Sequence, residues 1–247
     1  MEIAVLLGGA FVVAFAVGAT GFADALLASA IWLHVFPPQE TVPLIFLTGI
    51  VVHALSAVHL RRALEPRRLA PFALGGLVAT PLGVAALQAL DPGPLKQAVG
   101  IALVVVACWQ MTAALRSNAR SRLVLAGEGP AQKLADGAVG GIGGFLGGVA
   151  GMSGVVPTLW CGFRNWSPDV QRGVYQPFIL VMHLWAFSAL WISGGLPAGL
   201  FERFLWCLPV LLVGLVLGLA VYARIDQRKF RLTLLGVLGL SGLALLL

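Results

Sequence analysis

The sequence predicts an all-α integral membrane protein made of two inverted-topology repeats, each a broken or re-entrant helical hairpin followed by three transmembrane helices. Three observations carry that expectation. Apolar residues make up 59 % of the 247-residue chain and charged residues 11 %, with a mean hydropathy of +0.95. A soluble domain carries about 25 % charged residues, so the solvent that fits this chain is lipid. The two halves also share an ordered set of short motifs. Finally, the basic residues fall on one side of the membrane only if two of the apolar segments enter and return.

Eight apolar segments can be read, at 3–33, 42–60, 69–90, 95–115, 134–163, 174–193, 204–223 and 230–247. About 20 apolar residues are enough to cross the hydrocarbon core. The first and fifth segments run about 30 residues, or about 45 Å as single helices at 1.5 Å per residue, which is longer than one crossing needs. Both contain glycines near their middle. The fifth holds Gly137, Gly140, Gly141, Gly143, Gly144, Gly147, Gly148, Gly151 and Gly154. Each interior Gly costs a helix about 1 kcal/mol relative to Ala, so this run predicts a break or very close helix packing. The polar stretch 116–133 divides the chain into a first repeat, 1–115, a linker expected to be cytoplasmic, and a second repeat, 134–247.

In the repeat, Gly18-Ala-Thr-Gly21 aligns with Gly151-Met-Ser-Gly154, Pro71 and Gly76 with Pro209 and Gly214, and Leu90-Asp91 with Ile225-Asp226. Many transporter folds are built on such repeats. If every segment crossed once, the 16 basic residues would divide nine to seven. If segments one and five are hairpins, four basic residues follow each of segments two, four and seven and two follow segment five. That places 14 of the 16 on one side, leaving only Lys96 and Arg203 opposite. The positive-inside rule selects the hairpin arrangement, with both termini on the periplasmic side of a bacterial inner membrane.

The net charge of +6 is thereby a topology signal, since no stretch mixes basic and aromatic residues as a nucleic-acid surface would. Cys108, Cys161 and Cys207 are solitary, so neither a metal site nor a disulfide framework is expected, and no cofactor is called for. The start, Met-Glu-Ile-Ala-Val without early Lys or Arg, does not read as a secretory signal, and the first apolar segment is expected in the mature protein. P-loop, GxSxG and HExxH motifs are absent, so an enzyme is not expected.

Two helix breaks related by an inverted repeat can meet near the midplane and hold an anion on backbone N–H groups. Gly18, Thr20, Gly21, Gly151, Ser153 and Gly154 are the substrate-binding residues this reading selects. Gln176, beside Tyr175 in the sixth segment, is expected to line the polar path. The bland reading of the glycines is close helix packing. Asp24, just past the first break, lies in an apolar run, where a carboxylate is costly and marks a functional site. It is read as a coupling group for a proton or sodium, against the alternative of a cap on the half-helix that starts near Gly21. His53 and His183 lie inside their segments and are read as proton-relay candidates, while His34 and His59 are expected at the membrane edges. Arg164, Asn165 and Arg172 cluster at the cytoplasmic start of the sixth segment. Most of the seven Trp fit interfacial belts.

These motifs resemble the TauE/SafE family of sulfite or sulfonate membrane transporters. In the first half the resemblance rests on Gly18-Ala-Thr-Gly21-Phe-Ala-Asp-Ala-Leu, on Phe36-Pro-Pro-Gln-Glu-Thr-Val-Pro43, on the Arg61–Arg68 loop and on Leu90-Asp-Pro. In the second it rests on Gly143 through Gly154, on Pro157 and on Ser167-Pro-Asp through Arg172. It covers essentially the whole chain. The resemblance implies secondary transport of a small anion such as sulfite or an organosulfonate across the bacterial inner membrane. One departure is Asp24, where similar members usually carry a small residue, and this leaves the substrate and coupling ion open. A homodimer is compatible with the pattern. The competing reading is a non-transporting assembly partner in the membrane, or a carrier of a different small anion.

Overall fold

The computed structural model describes residues 1–21, 23–59, 64–115, 129–164, 166–221 and 227–247, without the side chains of Thr20, His59, 113–115 and 227–231. The described residues form ten helices and no strand. In order they are α1 (Glu2–Thr20), α2 (Asp24–Trp32), α3 (Pro38–His59), α4 (Pro66–Ala89), α5 (Pro92–Leu115), α6 (Pro130–Ala150), α7 (Val155–Cys161), α8 (Pro168–Ile192), α9 (Leu200–Val221) and α10 (Gln227–Ala244). Six stretches are long and apolar enough to cross a membrane: Glu2–Ala19, Pro38–Val58, Pro66–Ala89, Pro92–Thr112, Pro168–Ile192 and Leu200–Val221. Large apolar side chains such as Leu74, Val78, Val105, Val216 and Leu240 face outward, as they do where the surrounding solvent is lipid. This is a multi-pass helical membrane protein.

The long first and fifth segments are both broken hairpins. α1 ends where Gly21 takes a left-handed conformation (φ 85°), and α6 ends where Gly151 does the same (φ 74°). A side chain at either position would be strained. Ala23 is also left-handed, at φ 80°, so the first turn stores strain that its surroundings must hold. Each return arm then doubles back to the start of its outgoing arm. The indole of Trp32, at the end of α2, donates to the Leu6 carbonyl at 3.3 Å. The indole of Trp160, late in α7, donates to Asp136, near the start of α6, at 2.7 Å. Both caps thus lie at hairpin tips, and they pair Gly21 with Gly151. This register differs by three residues from the motif pairing, because it follows the place where the backbone turns. In it, Thr20 closes α1 while Ser153 lies beyond the second turn, so the two are not equivalent.

The glycine run of the fifth segment does not itself break the helix. α6 is continuous through Gly148, and its glycines let α4 approach. A methyl group on Gly140 would overlap the Phe72 carbonyl, one on Gly144 would lie 2.5 Å from the Gly76 carbonyl, and one on Gly148 would overlap that of Thr80. α1 meets α9 in the same way, with Gly18 against Leu215, Gly214 against the Phe11 carbonyl and Gly218 against that of Phe15. In lipid, where apolar burial gives no net drive, such close backbone approach is what joins helices. Each hairpin's outgoing arm therefore packs on the fourth helix of the other half, and α3 and α8 meet between them.

Of the linker 116–133, residues 116–128 lie outside the described residues, as do Ile225 and Asp226 of the repeat comparison.

Candidate functional site between the two hairpin tips

Asp24 is the first residue of α2, 5 % exposed. It does not cap the helix. Ala23 holds the cap position, and the Asp24 carboxylate points instead to α3, where His53 Nε2 donates to its Oδ2 at 3.1 Å. His183, on α8, places Nδ1 3.9 Å from the same oxygen and hydrogen-bonds the Gly151 carbonyl through Nε2 at 3.1 Å. Both histidines are fully buried, with ring centroids 6.1 Å apart. They stand 130 residues apart, the same separation as Gly21 and Gly151. Both rings converge on one carboxylate, and the residue at that separation from Asp24 is Gly154. The side chains pack this tightly because α3 carries Gly49 here. A methyl group on it would overlap His183 Nδ1 and lie 3.1 Å from Asp24 Oδ2.

Beside the carboxylate the two tips line one cavity. Asp24 and Ala25 contribute from the first hairpin, Met152, Gly154 and Thr158 from the second, and Gln110 from α5. Its volume is about 10 Å³, close to the least that holds one water molecule. The Thr158 hydroxyl is buried at its edge without a hydrogen-bond partner.

The other expected site residues are dispersed around this centre. Gln176 donates to the Gly21 carbonyl at 2.8 Å and so ties α8 to the first tip. Arg172 lies at the same tip, where a methyl group on Gly21 would meet its guanidinium at 2.6 Å. Gly151 supplies the carbonyl that holds His183 and sits against Ile45. Gly154 lines the cavity. Ser153 is fully buried against Gly147, and Gly18 is buried against α9. The side chains of Thr20 and His59, and Asn165 as a whole, lie outside the described residues.

A second buried polar centre went unread in the sequence. Asp136, 4 % exposed, accepts from Trp160 and, at 3.3 Å, from Arg164, itself 5 % exposed. The rule that singled out Asp24 applies equally to Asp136, which lies near the start of the fifth apolar segment. Removing one partner of a buried pair strands the other charge, at a cost of about 3–5 kcal/mol. Asp136→Ala should therefore lower unfolding stability in detergent by that amount. The paired replacement Asp136→Leu with Arg164→Met should restore most of it, which guanidine or thermal unfolding would read.

Aromatic–cation contacts sit at the first turns of α9 and α4, the helices that partner the outgoing arms. Arg203, which also pairs with Glu40, lies 4.9 Å from the Phe36 ring centroid, and Arg68 and Arg164 each lie 4.9 Å from that of Trp166. Phe36 and Trp166 are again 130 residues apart.

The family model described as sulfite exporter TauE/SafE matches residues 6–245. No curated protein and no solved structure matches the chain.

Proposed function

This chain belongs to the sulfite exporter TauE/SafE family, a family of membrane transporters, and on that premise we propose that it moves a small sulfur-containing anion across the bacterial inner membrane by ion-coupled alternating access. The observation that carries the proposal is the cavity shared by the two hairpin tips, lined by Asp24, whose carboxylate is met from behind by His53 and His183. A scaffold has no need to bring two broken hairpins and a buried carboxylate to one point.

In this reading the repeats insert in opposite senses, both termini are periplasmic, and the basic loops are cytoplasmic. The first hairpin enters from the periplasm and the second from the cytoplasm. The described conformation is closed around a space for one water, so an anion needs the tips to part. On parting, the backbone N–H of Gly154, the Thr158 hydroxyl and the amides of Gln110 and Gln176 are the nearest donors, while the N–H groups of Gly21 and Gly151 stay bonded to the Val17 and Gly147 carbonyls. Ser153 and Gly18 act behind them by seating the tips. The Phe36–Arg203 and Trp166–Arg68 contacts close the periplasmic and cytoplasmic mouths in turn. Each is worth about 0.5–2 kcal/mol, weak enough to open and strong enough to bias the closed state.

The test is thermal stability of the purified protein against sulfite, sulfate, sulfoacetate, taurine, toluenesulfonate and chloride. A ligand at 100 times its dissociation constant should stabilise by about 2.7 kcal/mol. We expect one sulfur anion to do so and Thr158→Val to weaken the shift. No shift with any sulfur anion would retire the sulfur assignment. A stable stoichiometric partner in place of ligand binding would favour the assembly reading.

A further inference from the structure

The contacts of the two histidines around Asp24 bear on which ion the site takes. His53 needs no charge to satisfy its geometry, since a neutral ring protonated at Nε2 donates to Asp24 at 3.1 Å. His183 is different. Its Nε2 faces the Gly151 carbonyl at 3.1 Å, and a carbonyl only accepts, so that nitrogen carries a hydrogen. Its Nδ1 faces the Asp24 oxygen at 3.9 Å. In a neutral ring this nitrogen would turn a lone pair toward a carboxylate in a buried, water-poor place, and the two would repel. Nδ1 has no hydrogen-bond partner. A proton placed there converts the repulsion into a charge-assisted attraction.

We infer that the ion coupled to transport is a proton, carried on Nδ1 of His183 against the carboxylate of Asp24, and that its binding draws the two hairpin tips together. The inference rests on the transport reading of the same site and names its co-substrate. Asp24 belongs to the first tip and Gly151 to the second, while His183 touches both. A loaded Nδ1 therefore holds the tips closed by attraction, and an empty one pushes Asp24 away. On one side of the membrane Nδ1 accepts a proton from water, and on the other it returns that proton to water. The Nε2 hydrogen stays on Gly151 throughout.

Sodium fits less well. Hard cations collect several oxygen ligands, whereas the near partners of this carboxylate are two imidazole nitrogens. The other charged groups on the elements packed against α3 and α8 are engaged elsewhere or stand at helix ends. Glu40 is with Arg203, Asp136 with Arg164, Arg68 at the Trp166 ring and Arg172 at Gly21. Glu2, Arg67, Lys96, Lys133, Asp169 and Glu202 all lie in the opening residues of their helices.

Two measurements on the full chain test this. In protein labelled with ¹⁵N-histidine, the His183 resonances, assigned through His183→Gln, should show a protonated Nδ1 that Asp24→Asn loses at a lower pH. A bare Nδ1 in the unmodified protein throughout about pH 5–8 would overturn the proposal. In proteoliposomes with a trapped pH dye, an imposed gradient of toluenesulfonate, whose sulfonate brings no proton of its own, should move protons with it and be indifferent to replacing sodium by potassium. Residual flux through His183→Gln should proceed without a pH change, whatever its rate. Flux that requires sodium, or that leaves the internal pH still in the unmodified protein, would also overturn it. If no sulfur anion moves at all, the transport reading fails, and the histidine spectra alone decide whether the proton site exists.

Discussion

Asp24→Asn should cut ion-driven accumulation of substrate in proteoliposomes roughly 100-fold, the lower range for losing a positioned proton-transfer group, while the protein still folds. The replacement is isosteric, and the amide oxygen can still accept from His53 Nε2, now 3.1 Å from the carboxylate. What it removes is the negative charge that faces His183 Nδ1 at 3.9 Å. Size-exclusion profile and unfolding temperature should therefore stay near those of the parent, which separates loss of coupling from loss of structure. An uptake rate close to the parent's would show that Asp24 is a packing residue, and with it the central argument for the site would go.

The second large effect is structural and discriminates between adjacent glycines. A methyl group on Gly140 would overlap the Phe72 carbonyl and lie 2.6 Å from that residue's carbonyl carbon and Cα. The obstacle is backbone, which cannot rotate aside. Gly140→Ala should then destabilise by about 1–3 kcal/mol, the usual cost of overpacking. Its neighbour Gly141 is different. The nearest atom to a methyl group there is the Gly75 carbonyl oxygen at 3.7 Å, an ordinary contact. Gly141→Ala should be neutral or gain up to about 1 kcal/mol from helix propensity. Unfolding in detergent, monitored for both variants together, reads the difference. Equal effects at the two positions would mean that α6 does not meet α4 through this face.

Much of the architecture was open to sequence reading because it follows from solvent and length. Scarce charge excludes a water-facing surface, and a 30-residue apolar segment is too long for one crossing. The eight segments accordingly correspond to α1–α2, α3, α4, α5, α6–α7, α8, α9 and α10. The position of each break was harder. Gly137 to Gly154 all look alike as letters, yet only Gly151 turns left-handed among those of the hairpin, while Gly140, Gly144 and Gly148 serve the contact with α4. Propensity marks a weak helix without saying which weak point gives way, because that depends on what packs against it.

The candidate site divides in the same manner. Asp24, His53 and His183 could be picked out singly, since an ionisable group in an apolar run is costly enough to need a reason. That the two histidines converge on the one carboxylate could not be read, because residues 24, 53 and 183 are joined only by the meeting of α2, α3 and α8. Thr158 and Gln110 carry no local signal at all and matter only because they border the cavity. The sequence by itself therefore determined the solvent, the number and length of the elements, and which residues are too polar for their surroundings. Tertiary structure alone decided the tips' geometry, the role of each glycine and the pairing of every buried charge. The physical reason is range: hydropathy and propensity are properties of a window of neighbours, whereas a proton or an anion is held by atoms within a few ångströms that the chain brings together from far apart.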